Sequence, residues 1–217
     1  MPVYQSPALP NITHFDANSL GARSLILASA SPRRRDLLSA MGLPFIVLPC
    51  DADESIPDGL TPREAVGLLS VRKAYAAVPH LSANKQKTLI LAADTIVDFD
   101  GAPLGKPKDK QDAFNTLTRM AGTRHEVHTG VTVLFDNRLY TAVETSTVYM
   151  RPYDEKEVRA YVDGGECMGK AGSYAIQGEG GKLVRQFEGM LDNIIGLPTK
   201  TVALLLSRAL KDDVHEQ

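Results

Sequence analysis

Residues 88 to 97, TLILAADTIV, make an apolar run broken only by the pair Asp94-Thr95. Such a run is far too short to span a membrane and reads as a strand buried within a sheet. The same reading gives strands at 24–29 (SLILAS), 45–49 (FIVLP) and 182–187 (KLVRQF), and a long hairpin of 125–135 and 140–150 that turns at Asp136-Asn137-Arg138. Helical patterns lie between them. Ser31 caps one that starts at Pro32 and stops before Gly42; Thr61, Pro62 and Glu64 supply the cap, first-turn proline and capping-box acid of another that runs to about Val78. Further helices are expected over 109–121, 154–165 and 199–210. Strands and helices alternate without an internal repeat, so the fold class is α/β with a mixed sheet. Residues 1–23 read as an irregular extension, 24–210 as the folded domain and 211–217 as a polar tail.

A formal net charge of −2 over 217 residues gives no bulk attraction to nucleic acid or to a membrane surface, so neither is an expected partner. Any anion must be held by a local cluster. Cys50 and Cys167 are far apart and lack the spacing of a zinc site or a disulfide framework, and no basic start followed by an apolar core marks a secretion signal. A cytoplasmic location is the expectation.

The clearest cationic cluster is Arg33-Arg34-Arg35, at the start of the helix that follows the first strand. With Leu37, Leu38 and Met41 on the core face, Arg34 falls near the middle of that face, with Arg33 about 90° to one side and Arg35 about 110° to the other. Cations in a first turn oppose the helix dipole by about 0.3–1 kcal/mol each, a penalty that an anion on the N-terminal amides removes. Solvated surface arginines are the bland alternative, and Arg35 is the best candidate for one. Asp94 is a poor strand former that is costly to bury unpaired, which points to a cleft or a bound cation, or else to a strand end. Lys106, between Gly105 and Pro107, returns toward Asp94 through a short hairpin. No phosphate-binding G-x-x-x-x-G-K-[ST] loop exists in the chain. The glycine-rich segment 169–181 contains Lys170 and Gln177, whose amide could read a base edge. Glu54, Asp94 and Glu166 are carboxylates suited to a magnesium-type oxygen site, whereas His125 and His128 fall on opposite faces of one strand and do not pair as metal ligands. Together these features describe a site for a nucleotide polyphosphate.

In their order, the segments SASPRRRDLL, ADTIV, GKP, HEVHTGV, GKAGSYAIQG and NIIGLP resemble the Maf family of nucleotide pyrophosphatases along most of residues 24–210. The resemblance implies two lobes around a central cleft, related in shape to the inosine triphosphate pyrophosphatases. It also implies hydrolysis of a nucleoside triphosphate to the monophosphate and pyrophosphate with a divalent metal, Mg²⁺ or Mn²⁺. Asp94 corresponds to the proposed proton acceptor; Arg33, Arg34, Lys73 and Lys106 to the cations around the triphosphate; Glu54, with Asp94, to the metal position. Arg33, Thr95 and Gln177 stand at the positions that separate the family's branches, and they look like the dTTP/UTP branch rather than the 7-methyl-GTP branch. Substrates would then be dTTP, UTP and, by extension, modified pyrimidine nucleotides. Two departures stand out: Gly169 replaces the usual aspartate of Asp-Lys-Ala-Gly, so no metal ligand is assigned in that loop, and Met190-Leu191 replaces a Ser-Tyr pair. Dimers are common in the family, which makes a homodimer one of the expected states. The competing expectation is a nucleotide-binding regulator of division or septum formation that does not turn over.

Overall fold

The computed structural model describes residues 10–81 and 87–214; residues 1–9 of the expected extension and 215–217 of the tail lie outside the described residues. Its strands are β1 (Ser24–Leu27), β2 (Ile46–Val47), β3 (Thr88–Phe99), β4 (Ala102–Leu104), β5 (Arg124–Phe135), β6 (Arg138–Met150) and β7 (Val184–Glu188). They form one mixed sheet in the order β2-β1-β3-β5-β6-β7, with β4 paired to β3. β1 is parallel to β2 and β3, and every other pairing is antiparallel.

The pairing of β3 creates the opening that matters for function. On one side β5 runs alongside it from Ile90 to Asp98. On the other, β1 pairs only as far as Leu91 and β4 joins only at Val97. Among the described residues, no strand fills that side between them, so the central strand is exposed to a cleft between a parallel and an antiparallel part of the sheet.

The helices are α1 (Pro32–Ala40), α2 (Pro62–Ala77), α3 (Lys110–Met120), α4 (Glu155–Asp163), α5 (Leu191–Ile195) and α6 (Thr199–Val214). Their starts follow the local signals: Ser31 caps α1, Thr61 and Glu64 form a reciprocal capping box on α2, and Asp109 and Asp154 cap α3 and α4. Alternation along β3 decides which face each helix covers. Leu89, Leu91, Ala93, Val97 and Phe99 enter the main core with Leu38 of α1 and Leu205 and Leu206 of α6. Ile96 packs with Ala65, Val66 and Leu69 of α2 on the opposite face. The α2 helix sits very close to the sheet there, because a Cβ at position 130 of β5 would stand 2.3 Å from the Val66 carbonyl oxygen. Only glycine permits that approach.

Several sequence expectations change in detail. The hairpin turns on Asp136-Asn137 alone, both at positive φ (46° and 58°), and Arg138 already pairs with Phe135. This is the two-residue geometry that matches strand twist. β1 and β2 are shorter than read, α6 runs on to Val214, and α5 had no expected counterpart. Among its described residues, the stretch read as irregular holds a 3₁₀ turn, Ala17–Leu20, and buries Leu20. Its Thr13 amide donates to Thr199 Oγ1 (3.0 Å) and its Phe15 amide to the Met41 carbonyl (3.1 Å), so residues 13–20 pack on the domain. No helix of the described residues is long and apolar enough to cross a membrane.

Candidate active site

Asp94 lies in the middle of the open stretch of β3, not at a strand end, and its side chain is 14 % exposed. It forms an ion pair with Lys73 of α2, and Lys73 Nζ is also 2.7 Å from Glu54 Oε1. One ammonium thus serves two carboxylates. Lys73 can do this because Gly130 lets α2 come down onto the sheet, and Glu54 because its loop is tied to the same helix. The tie is Arg72, whose Nη1 donates to the Ser55 carbonyl (2.6 Å) and lies 3.3 Å from Asp53 Oδ2. The Lys73 hydrogen bond, then the Lys73 charge, hold the Glu54 carboxyl below the usual carboxylate range, with smaller help from Lys106 and Arg34.

Arg34 closes the cleft from the α1 side. Its Nε donates to the Gly196 carbonyl (2.9 Å), Nη1 to Ser29 Oγ (3.3 Å) and Nη2 to Thr95 Oγ1 (3.0 Å). Of the five guanidinium N–H groups, three are spent on the protein and two remain for a ligand. Burial lowers the Arg34 pKa, and the neighbouring Asp94 charge acts against that shift, ahead of the smaller effects of Arg33 and Glu54. A guanidinium starts so high that it stays charged at neutral pH. Gly196 has φ of 123° and leaves only 3.2 Å between a hypothetical Cβ and Thr95 Oγ1, so a side chain there would crowd the Arg34 contact.

Thr95 belongs to a directional chain. Arg34 donates to Thr95, Thr95 and Thr129 share a hydrogen bond of 3.0 Å, and Thr129 Oγ1 donates to the Asn193 carbonyl (2.9 Å). Because the Thr129 proton goes to Asn193, Thr95 must donate to Thr129. The chain fixes the Thr95 hydroxyl and explains the Asn193 and Thr129 positions as support for the cleft rather than as ligands. Ser29, Thr129 and Gly196 escaped the sequence reading: Thr129 meets Thr95 only through the β3–β5 register, Gly196 reaches Arg34 across 162 residues, and Ser29 meets Arg34 five residues away, through the turn into α1.

Arg33 and Lys106 are exposed at the rim, Arg33 beside Arg34 and Lys106 close enough to act on Glu54. Arg35 is exposed and pairs only with Asp36 (3.6 Å). Four cations thus face two carboxylates in a chain whose net charge is negative. Gln177 is exposed on the glycine-rich loop and has no hydrogen bond to Asp94, Thr95 or Arg34 among the described residues. The beginning of that loop does reach the site's edge, where the Gly172 amide donates to the Gly105 carbonyl (3.2 Å).

Glu166 corrects an expectation. Its carboxylate accepts the amides of Glu179 and Gly180 (2.9 Å each) and the Tyr161 hydroxyl (3.0 Å), closing the loop onto itself. Burial would raise its pKa, but these bonds and Lys170 outweigh it and the net shift is downward. Its oxygens are used within the loop and do not join Glu54 and Asp94. A separate group that could hold a metal ion consists of Asp98, Glu126 and His128, farther along β3 and β5.

The family description "Maf-like protein" matches residues 24–209 of this chain. The chain belongs to the Maf family. Among its Maf relatives, the dTTP/UTP pyrophosphatase of Pelotomaculum thermopropionicum is 42 % identical over 188 residues, 86 % of this chain and 96 % of that one. Proteins with the same description from Bdellovibrio bacteriovorus (43 % identical, 85 % of this chain and 98 % of that one) and Anaeromyxobacter dehalogenans (44 %, 87 % and 95 %) are equally similar. Among solved structures, the Ham1 protein of Staphylococcus aureus aligns with a TM-score of 0.39 at 18 % identity, over 59 % of this chain and 71 % of that one.

Proposed function

We propose that this Maf protein hydrolyses pyrimidine nucleoside triphosphates, dTTP and UTP first, to the monophosphate and pyrophosphate, as a cytoplasmic scavenger of nucleotides. The observation that carries the reading is the shared Lys73 ammonium between Asp94 and Glu54, set in an open stretch of a central strand and rimmed by further cations. The chain is about 42 % identical to proteins described as dTTP/UTP pyrophosphatases, which favours turnover over a purely regulatory role. Residues 24–210 form the catalytic unit in this reading.

In the reaction, water attacks the α-phosphorus and gives its proton to the Asp94 carboxylate. The bond from the α-phosphorus to the bridging oxygen breaks and pyrophosphate leaves with the electron pair. Arg33, Arg34 and Lys106 hold the charge that grows on that leaving group, so their effect is on turnover more than on ground-state binding. Lys73 turns from the carboxylates toward the phosphates when the substrate arrives. Two carboxylates close enough to share one ammonium supply the hard oxygen donors that Mg²⁺ or Mn²⁺ prefers, so Glu54 and Asp94 fit the metal that this chemistry calls for. Bound there, the ion would neutralise triphosphate charge and acidify water. Base choice rests on Arg33, on the oriented Thr95 hydroxyl and on Gln177.

The test is a panel of nucleotides with Mg²⁺, in which monophosphate and pyrophosphate are quantified for the wild-type protein and for Asp94→Asn. The expected outcome is pyrophosphate from dTTP and UTP, nearly abolished in the variant. Orthophosphate as the product would point to a general phosphatase instead, and nucleotide binding without any product to a regulator.

A further inference from the structure

We infer that Asp98, Glu126 and His128 form a second cation site, separate from the nucleotide cleft and suited to a divalent ion of the zinc class. The three residues come from two neighbouring strands. Asp98 of β3 stands directly opposite Glu126 of β5, and His128 lies two residues along β5 on the same face. One ligand atom from each falls within 4.8 Å of the others.

The spacing within the group points to an ion. His128 Nε2 is 3.4 Å from Asp98 Oδ2 and 3.6 Å from Glu126 Oε2, long for hydrogen bonds. Two ligands held at about 2.1 Å by a tetrahedral ion stand about 3.4 Å apart, which is the separation found here. The surroundings already orient each donor. His128 Nδ1 bonds to Thr145 Oγ1 (2.9 Å), so that Nε2 is the nitrogen left to face the carboxylates, the outer-shell arrangement typical of a metal-bound imidazole. Asp98 Oδ1 accepts the Gly101 amide (2.9 Å), which aims Oδ2 at His128.

Burial and charge agree with this. The His128 side chain is 2 % exposed and rigidly placed, whereas Glu126 is 53 % exposed and leaves an entry path and an open coordination position. Like charges directly opposite each other on paired strands repel, and Asp98 with Glu126 is such a pair; a divalent ion between them turns the repulsion into attraction. The imidazole nitrogen and a set of three protein ligands favour zinc over magnesium, which wants six oxygens. Asp94 and Asp98 are roughly 13 Å apart along the strand, with Ile96 between them on that face, so one ion cannot serve both. An ion at this second position fastens the end of β3 to β5, next to the turn that leads through β4 to Lys106.

The test needs no nucleotide. The full-length protein is freed of metal with a chelator and titrated with Zn²⁺ by calorimetry, with Co²⁺ absorption as the report of a tetrahedral nitrogen-and-oxygen site. The expected result is micromolar zinc binding at this site, told apart from binding in the Asp94–Glu54 cleft by repeating the titration on Glu54→Gln, with the melting temperature raised by roughly 5–10 °C when zinc is in about 100-fold excess over its dissociation constant. Glu126→Gln and Asp98→Asn should each weaken that binding about tenfold or more, while Glu54→Gln leaves it unchanged. Glu126 is largely exposed, so its variant keeps the test decisive should Asp98→Asn fail to fold. Zinc binding absent at micromolar concentrations, or Glu126→Gln giving the wild-type isotherm, would overturn the proposal.

Discussion

Asp94 and Asp98 occupy the same face of one strand four residues apart, yet their surroundings make opposite use of a half-buried carboxylate. Asp94 meets a lysine, a compact charge on a flexible stem that is shared with Glu54 and can be withdrawn. Asp98 meets a histidine whose Nδ1 is held by Thr145 and whose Nε2 stands 3.4 Å from the Asp98 carboxylate. The difference teaches that what surrounds a strand carboxylate, more than its place in the strand, decides whether it is prepared for a transient ligand or for a permanent one. The backbone follows the same division. β3 is unpaired on one side at Asp94, where a substrate must enter, and paired on both sides at Asp98, opposite Pro103 and Glu126.

The change that should break the comparison most severely is Asp94→Asn. It removes the proton acceptor but keeps the size of the side chain, so turnover should drop roughly 10²–10⁴-fold while the circular dichroism spectrum and urea midpoint stay close to wild type. A variant that loses its fold along with its activity would make Asp94 a structural residue.

The two histidines of β5 repeat the contrast on opposite faces. His125 is buried against Tyr174, with Nε2 2.8 Å from the hydroxyl and Nδ1 without a partner, and burial lowers its pKa to about 4. The native state therefore keeps His125 neutral, whereas the unfolded chain takes up a proton below about 6.5. Stability from this residue is fully present above pH 6.5 and is lost as the pH falls from 6.5 toward 4, by an amount of order 3 kcal/mol. Urea unfolding of wild type and His125→Gln at pH 7 and pH 4.5 checks this: the variant should lose much less stability between the two values.

Arg34→Lys should lower turnover by about 10²-fold, because an ammonium cannot reach Gly196, Ser29 and Thr95 together and still face a phosphate. Steady-state kinetics should place the loss in kcat. The smallest effect belongs to Arg35→Ala: its side chain is 57 % exposed and meets only Asp36, so stability should stay within about 0.5 kcal/mol and turnover near wild type. A large loss at Arg35 would mean that the arginine triplet acts as a single patch, against the separation read from helix geometry.

Much of the fold could be read from the sequence because its signals are local. The Ser31-Pro32 and Thr61-Pro62-Glu64 starts, the stop at Gly122 and the β3 apolar run each specify an element within a few residues. The five-residue α5 has no periodicity to reveal it and is set by Asp192, which accepts the Thr199 amide and hydroxyl (2.7 Å each). At the site, Asp94 was conspicuous as a polar residue in an apolar strand, and Lys106 followed from its hairpin. The pairing of Asp94 with Lys73 depended on how α2 crosses the sheet, which Gly130 and Val66 decide across 64 residues of chain. Glu166 was misread for a similar reason, since the amides that occupy it return 13 and 14 residues later. His128 was correctly separated from His125 by strand alternation, but its neighbours Asp98 and Glu126 become visible only once the β3–β5 register is known.

The most direct test of the chemistry assigned to the Asp94 cleft follows the attacking water. With dTTP and Mg²⁺ in ¹⁸O-labelled water, the wild-type protein should place the label in the monophosphate and none in the pyrophosphate, and Asp94→Asn should slow that incorporation in proportion to its loss of turnover. Label in the pyrophosphate, or release of labelled orthophosphate, would contradict attack at the α-phosphorus and with it the role given to the cleft.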